Sequence, residues 1–401
     1  MSIKPTRRNL LTAAALTPVA IAAGSLTAES ASASTVDTAL EWYDLTVTTI
    51  TEAGSPAQVT NSRTWAIAWL AAARAQQRET APEFRQAALA SAIHSVLSAQ
   101  VPARATVLDA ALTTTLSRLR NRPGKHRGVT AGREEAQALL GERAGDGLDP
   151  ASVNPPYDAG PAAPGVWQPT PPSYTPGQQS GTRFARPFLL PTADAFRPGP
   201  PPALGSARNI ADLEEVRLYG GLNSTVRTQA QADTALFWYG SSQVLYNPVL
   251  RAALAGSHRS LVWRTTLVAL FHIALVDTQI ATSDTKYHYH WWRPVTALAG
   301  TGWQPFHVTP SHPDYVSGHN IYSGAAEGVL TDLVGARTAP YTVVSPSSGT
   351  TRTYTDWATP SRENVDARVW SGIHTRSADE QGIVLGKKVA RHTLREAWRL
   401  F

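Results

Sequence analysis

Cysteine is absent from the 401 residues, so the chain has no disulfides, thiolate nucleophiles or zinc–thiolate centres and must hold its fold by packing. Charge is also sparse, at 16% of residues against 42% hydrophobic, which excludes an intrinsically disordered chain and leaves enough apolar material for a large core. Lysines and arginines are scattered, with no basic stripe interleaved with aromatics, so nothing points to a nucleic-acid partner. Beyond the N-terminus the most apolar run is Leu267 to Val276, which contains His272 and is flanked by Arg264 and Asp277; it is too short to span a bilayer. No short fixed period recurs, which excludes solenoids and propellers.

The first residues carry Lys4 and Thr6-Arg7-Arg8-Asn9-Leu10-Leu11, then a weakly apolar stretch to Leu26 and the small-x-small triplet Ala31-Ser32-Ala33. This reads as a twin-arginine export signal over residues 1–33, which places the mature protein outside the cell or in its envelope. Its removal takes Lys4, Arg7, Arg8 and Glu29, leaving 33 basic and 29 acidic residues and lowering the net charge from +6 to +4.

The mature chain divides into three parts, which the sequence suggests form one compact unit. Residues 34–145 carry apolar residues at helical spacing, with Trp42, Trp65 to Ala73, Phe84 to Leu97 and Leu108 to Leu119 as the clearest stripes. Residues 146–205 are rich in proline and glycine, including Pro155-Pro156, Pro171-Pro172 and Pro200-Pro201-Pro202, and cannot sustain helix. Trp167, Phe188, Leu189 and Leu190 favour an ordered arm across the helices; the alternative is a flexible hinge. Residues 206–401 return to helical spacing, interrupted by a small predicted hairpin over 336–358. The fold class is therefore all-α.

Three segments of the last part carry chemistry. In Lys286-Tyr-His-Tyr-His-Trp-Trp-Arg293-Pro294, a continuous helix would set Lys286 and Arg293 on one face with His290 between them, attracting an anion. In Ser311-His312-Pro313-Asp314-Tyr315-Val316-Ser317-Gly318-His319-Asn320, Ser317 and Gly318 open a helix whose free N–H groups and dipole suit an oxyanion. His319 stands beside that site, with a side chain suited to proton transfer. In Arg368-Val-Trp-Ser-Gly-Ile-His374, a break at Gly372 would turn both Arg368 and His374 inward. A divalent-metal site built from His288, His290, His312 and His319 is disfavoured, because His288 and His290 would point to different faces of a helix.

Taken in order, Lys-x6-Arg-Pro, Ser-Gly-His and Arg-x5-His resemble the motifs of the superfamily shared by vanadium-dependent haloperoxidases and type 2 phosphatidic-acid phosphatases. The wording of 286–297, the His-Pro-Asp-Tyr run at 312–315 and the Phe-Arg-Pro stretch from 196 resemble its soluble, haloperoxidase-like branch. The resemblance implies a helical bundle of the haloperoxidase and acid-phosphatase type. It implies that Lys286, Arg293, Ser317, Gly318 and Arg368 bind the oxyanion, with His374 and His319 catalytic. His374 would be the vanadium ligand if vanadate is bound, and His312 and His290 are candidates for tuning. Two positions depart from the pattern. Val316 stands where the family usually has proline, and Ala378 takes the place of the acid expected four residues after His374, leaving Asp379, one residue later, as the candidate partner of His374.

The resemblance implies a vanadate cofactor with peroxide and halide as substrates, or no cofactor and a phosphate ester as substrate. A non-catalytic oxyanion binder is the third reading, prompted by Ala378.

Overall fold

The computed structural model describes residues 36–53 and 58–401; the predicted export signal lies outside the described residues. Five helices open the chain: α1 Thr38–Ala53, α2 Gln58–Gln77, α3 Pro82–Gln100, α4 Ala105–Arg118 and α5 Pro123–Glu142. A one-turn α6, Pro150–Val153, leads into the proline-rich arm. After it come α7 Ala207–Tyr219, α8 Gln229–Phe237, α9 Ser242–Ala255, α10 Leu261–Tyr289, the one-turn α11 Pro294–Ala297 and α12 Gly318–Val334. An antiparallel hairpin, β1 Arg337–Val344 and β2 Thr351–Asp356, precedes α13 Ala358–Trp370 and α14 Arg376–Glu396. Residues 37–401 form one unit. Helix α9 is not apparent from the sequence, because Pro248 sits inside it.

Helix α10 is the axis of the core and packs against α2, α12 and α14. Ser260 caps its start by accepting from the Trp263 N–H at 3.3 Å. The helix runs 29 residues, well past the apolar run seen in the sequence. Its polar continuation is tolerated because Thr278, Thr282 and Thr285 each return their hydroxyl to the carbonyl four residues back, at 2.5, 2.8 and 2.8 Å. By length and composition α10 could therefore cross a membrane, with a mean hydropathy of 1.4 over its best window, but 78% of that window is buried inside the protein. That is the signature of a core helix.

The arm is tied down along its length. The buried carboxylate of Asp277 accepts the backbone N–H groups of Phe188, Leu189 and Leu190 at 2.7, 2.8 and 3.0 Å. Arg197 forks onto Asp284 at 2.7 and 2.8 Å, and the Trp167 N–H donates to the His290 carbonyl at 2.8 Å. Helices α12 and α14 touch backbone to backbone. A Cβ on Gly386 would lie 2.2 Å from the Ile321 carbonyl, and one on Gly324 would lie 2.4 Å from that of Ile383. This close approach brings the first residues of the two helices together, where the Ser317 N–H donates to the Ala378 carbonyl at 2.9 Å.

His272 is buried midway along α10, stacked on Trp65 with 4.5 Å between centroids and with neither ring nitrogen bonded among the described residues. Burial lowers its imidazole from the ordinary 6.5 to about 3. The unfolded chain thus takes up this proton near neutrality and the folded chain does not, so stability falls as pH drops below 6.5. At pH 5 the loss is about 2 kcal/mol. Urea unfolding of His272→Leu at pH 7 and pH 5 should show a shallower acid loss than the parent; an equal loss in both would refute the assignment.

Candidate active site

Lys286 lies in the last turn of α10, almost fully buried, and its Nζ donates to the carbonyls of Pro313 at 2.5 Å and Asp314 at 3.0 Å. The helix then stops at Tyr289, because His290 adopts a left-handed conformation with φ 50°. Lys286 and Arg293 therefore do not share a helical stripe as the sequence suggests; the chain turns and delivers Arg293 from a separate direction, at the start of α11. The His290 ring leaves the site and packs under the arm, 5.7 Å from Tyr157 and 6.0 Å from Trp167. It does not line the cavity.

Arg293 is completely buried. Its Nε donates to the His312 carbonyl at 2.7 Å, Nη1 to the Ile373 carbonyl at 2.5 Å and Nη2 to His312 Nδ1 at 3.0 Å. Because a guanidinium only donates, His312 Nδ1 is the bare nitrogen and Nε2 carries the proton. Arg368 arrives from the last turn of α13 and is 1% exposed. Its Nη1 reaches the Trp238 carbonyl at 3.3 Å, and its Nε has no partner among the described residues.

Ser317 caps α12 and Gly318 is its first residue. The first intrahelical bond of α12 is from Ile321 to the Ser317 carbonyl, so the N–H groups of Gly318, His319 and Asn320 precede it and have no partner within the helix. His319 Nε2 donates to the Gly240 carbonyl at 2.8 Å. A carbonyl only accepts, so His319 Nδ1 is bare. Val316, where the resemblance expects proline, is fully buried, and its bond to Tyr315 is cis.

Gly372, at φ 77°, breaks the chain between α13 and α14 and turns His374 inward, as the sequence suggests. The carboxylate beside His374 is not Asp379. His374 Nδ1 lies 2.6 Å from Oδ1 of Asp314, to which the His-Pro-Asp-Tyr run by itself gives no role. Asp379 is buried under the start of α12, where its Oδ1 accepts from Asn320 Nδ2 at 2.7 Å. A shift of one residue on a helix rotates a side chain by about 100°, which is why the position after Ala378 cannot substitute. Burial holds the Asp379 carboxyl well above its ordinary range and that of Asp314 up at about 6.

Lys286, His312, Gly318, His319 and His374 line one cavity of ≈ 220 Å³, which Gln58, Gln178, Gln179 and Gln279 also line. Burial, then the cations Arg293, Lys286 and Arg368, drives the His374 imidazole well below 6.5, so the neutral ring is favoured, and its Nε2 faces Arg293 Nη1 at 3.1 Å. Burial likewise depresses His312 and His319. Among the described residues no group of three or more histidine, aspartate or glutamate side chains is placed to hold a metal ion. The carbonyls of Trp238 and Gly240, which hold Arg368 and His319, come from the turn between α8 and α9; as backbone groups they leave no signal in the sequence.

Arg368, whose Nε has no partner among the described residues, Lys286 and Arg293 are three buried cations beside the N–H groups that open α12, an arrangement suited to an anion. The chemistry of this donor set, cations and N–H groups around a neutral imidazole, suits an oxyanion.

Residues 297–401 match the family described as VCPO second helical-bundle domain. The chain is similar in structure to the first bacterial vanadium-dependent iodoperoxidase, with a TM-score of 0.76, 22% identity, and coverage of 89% of this chain and 96% of that one. It is also similar to an apo-type bacterial vanadium-dependent chloroperoxidase, with a TM-score of 0.66, 15% identity, and coverage of 86% and 95%. No curated protein matches the sequence. Residues 297–401 thus carry the likeness to this helical-bundle domain family, and over the greater length of the chain the likeness to the solved vanadium-dependent peroxidases is one of fold.

Proposed function

We propose that the protein is an exported, vanadate-dependent haloperoxidase-like enzyme that oxidises halide with hydrogen peroxide. The observation that carries this reading is the neutral His374, backed by a carboxylate and set among three buried cations, one of which has an unbonded Nε. The solved structures it resembles are of vanadium-dependent peroxidases. Lys286, Arg293 and Arg368 would neutralise the anion's oxygens, and Ser317 and the Gly318 N–H would complete the cradle. His374 Nε2 would hold the central atom. When bound there, vanadate supplies a Lewis acid that activates peroxide toward halide without changing oxidation state. His319, bare at Nδ1, takes a proton from the incoming peroxide, and the His312 Nε2–H supplies a hydrogen-bond donor. Export by the twin-arginine route, which carries folded proteins, suits a chain that has no disulfide to form.

The same cradle supports a second reading, a secreted phosphomonoesterase. Here His374 Nε2, the unprotonated nucleophile, would attack phosphorus as the bond to the ester oxygen breaks, giving a phosphohistidine; His319 would have to enter this cycle protonated at Nδ1, give that proton to the leaving alcohol and recover one from the attacking water. The deciding experiment uses protein stripped of bound anion. Oxidation of iodide, bromide and chloride by peroxide is measured with and without added vanadate, beside hydrolysis of a generic phosphate monoester. Halogenation that appears only with vanadate is the expected result. Hydrolysis without halogenation under any vanadate level would overturn it in favour of the phosphatase; vanadate binding with neither activity would make the protein an oxyanion binder.

A further inference from the structure

For His374 to bind the central atom of an oxyanion, its Nε2 must be bare and aimed into the cavity. A loosely held neutral imidazole exchanges between two tautomers and several ring orientations, so something must choose. The position that the sequence pattern reserves for this task, four residues after His374, is Ala378, whose side chain can accept nothing. Asp379 is committed to Asn320.

The side chain in place is that of Asp314. Its Oδ1 lies 2.6 Å from His374 Nδ1, and its Oδ2 accepts the hydroxyl of Thr375, the next residue, at 2.8 Å. Its backbone is equally fixed: the N–H donates to the Trp291 carbonyl at 2.9 Å, and the carbonyl accepts from Lys286 Nζ at 3.0 Å. Arg293 Nη1 stands 3.9 Å from the same Oδ1 and 3.1 Å from His374 Nε2. A carboxylate anchored at both oxygens and through its own main chain cannot swing away from the imidazole.

We infer that Asp314 is the positioning residue of His374. It accepts the Nδ1–H, which leaves Nε2 bare and the ring fixed toward the cavity. The acid is thus supplied from upstream of the Ser317-Gly318 turn instead of from the helix that follows the histidine. Through its carbonyl the same residue also places Lys286, so one side of the cradle and the central-atom ligand are set by a single residue. This inference rests on the oxyanion reading of the site.

The test uses the full folded protein with ¹⁵N-labelled histidine and measures two things, the ring tautomer of His374 by two-bond ¹H–¹⁵N spectra and the affinity for orthovanadate and for inorganic phosphate by calorimetry. The His374 signal is assigned by its absence in His374→Ala. In the parent, Nδ1 is expected to be protonated and Nε2 bare. Asp314→Asn keeps the shape but can turn an amide N–H toward the ring, so the tautomer should invert or mix, and both affinities should fall by roughly ten- to a hundredfold. Asp379→Asn should leave the His374 tautomer as in the parent. A parent-like tautomer and affinity in Asp314→Asn would overturn the inference, as would an inverted tautomer in Asp379→Asn alone. Should Asp314→Asn not fold, Thr375→Val frees only Oδ2 and should weaken both anions severalfold; unchanged binding there would also overturn it. A parent protein that binds neither anion would instead defeat the oxyanion reading, and its tautomer would still report on Asp314.

Discussion

His374→Ala is expected to lose both candidate activities, by on the order of a thousandfold or more, together with tight vanadate binding. The basis is the inventory of groups that could compensate. Lys286, Arg293 and Arg368 would still attract an oxyanion, because their charges do not depend on the imidazole. Weak, salt-sensitive binding should therefore survive. The other two histidines of the cavity are not equivalent to it: His312 presents an N–H on its free side, and the ring of His319, bare at Nδ1, is held through its Nε2 by the Gly240 carbonyl at 2.8 Å. Removing the ring also leaves the Asp314 carboxylate buried with only Thr375 as a direct side-chain donor, so some loss of stability should accompany the loss of function. Turnover and vanadate titration, each measured against a thermal melt, separate the two effects. Retained turnover in a folded variant would refute the role given to His374.

How far the site can be read from the sequence depends on whether a group acts through its side chain or through its main chain. Lys286, Ser317, Gly318, His319, Arg368 and His374 carry diagnostic side chains or a helix-opening pair in a fixed order, and Lys286, Gly318, His319 and His374 line one cavity in the structure. Arg293 is identifiable from the sequence, but a continuous helix is the wrong geometry for it, because nothing in Tyr289-His290-Trp291 announces a left-handed turn at a non-glycine residue. The same turn removes His290 from the site. Asp314 is visible yet carries no sign of its role, since pairing across 60 residues depends on tertiary packing and leaves no periodic trace. The carbonyls of Trp238 and Gly240 are common to every residue type and cannot be found in a sequence. At the level of the fold, tryptophan and leucine spacing reveals the helices before the arm. The full length of α10 is obscured by threonines that bond their own helix, and α9 by its internal proline.

Gly372 links fold and site most directly, and substituting it should show both. Its φ of 77° already disfavours any L side chain, and a Cβ there would sit 2.2 Å from the Gly220 carbonyl oxygen and 3.1 Å from the Pro305 Cα. Both obstacles are backbone, so neither can rotate aside. Gly372→Ala should therefore cost about 1 kcal/mol for the left-handed conformation and a further ~1–3 kcal/mol for overpacking. The adjoining residue, Ile373, gives its carbonyl to Arg293 at 2.5 Å, and the next is His374. Relief of the clash must move this segment, so oxyanion affinity should fall with stability. Gly349→Ala provides the control, because that glycine has a similar φ of 68° at the hairpin turn, and a Cβ added there would meet nothing within 4 Å. It should lose only the conformational part, about 1 kcal/mol, and keep the parent's affinity for vanadate. Denaturant unfolding and vanadate calorimetry on the two variants decide the matter. If Gly372→Ala is no worse than Gly349→Ala in both, the close contact with Gly220 does not hold His374 in place.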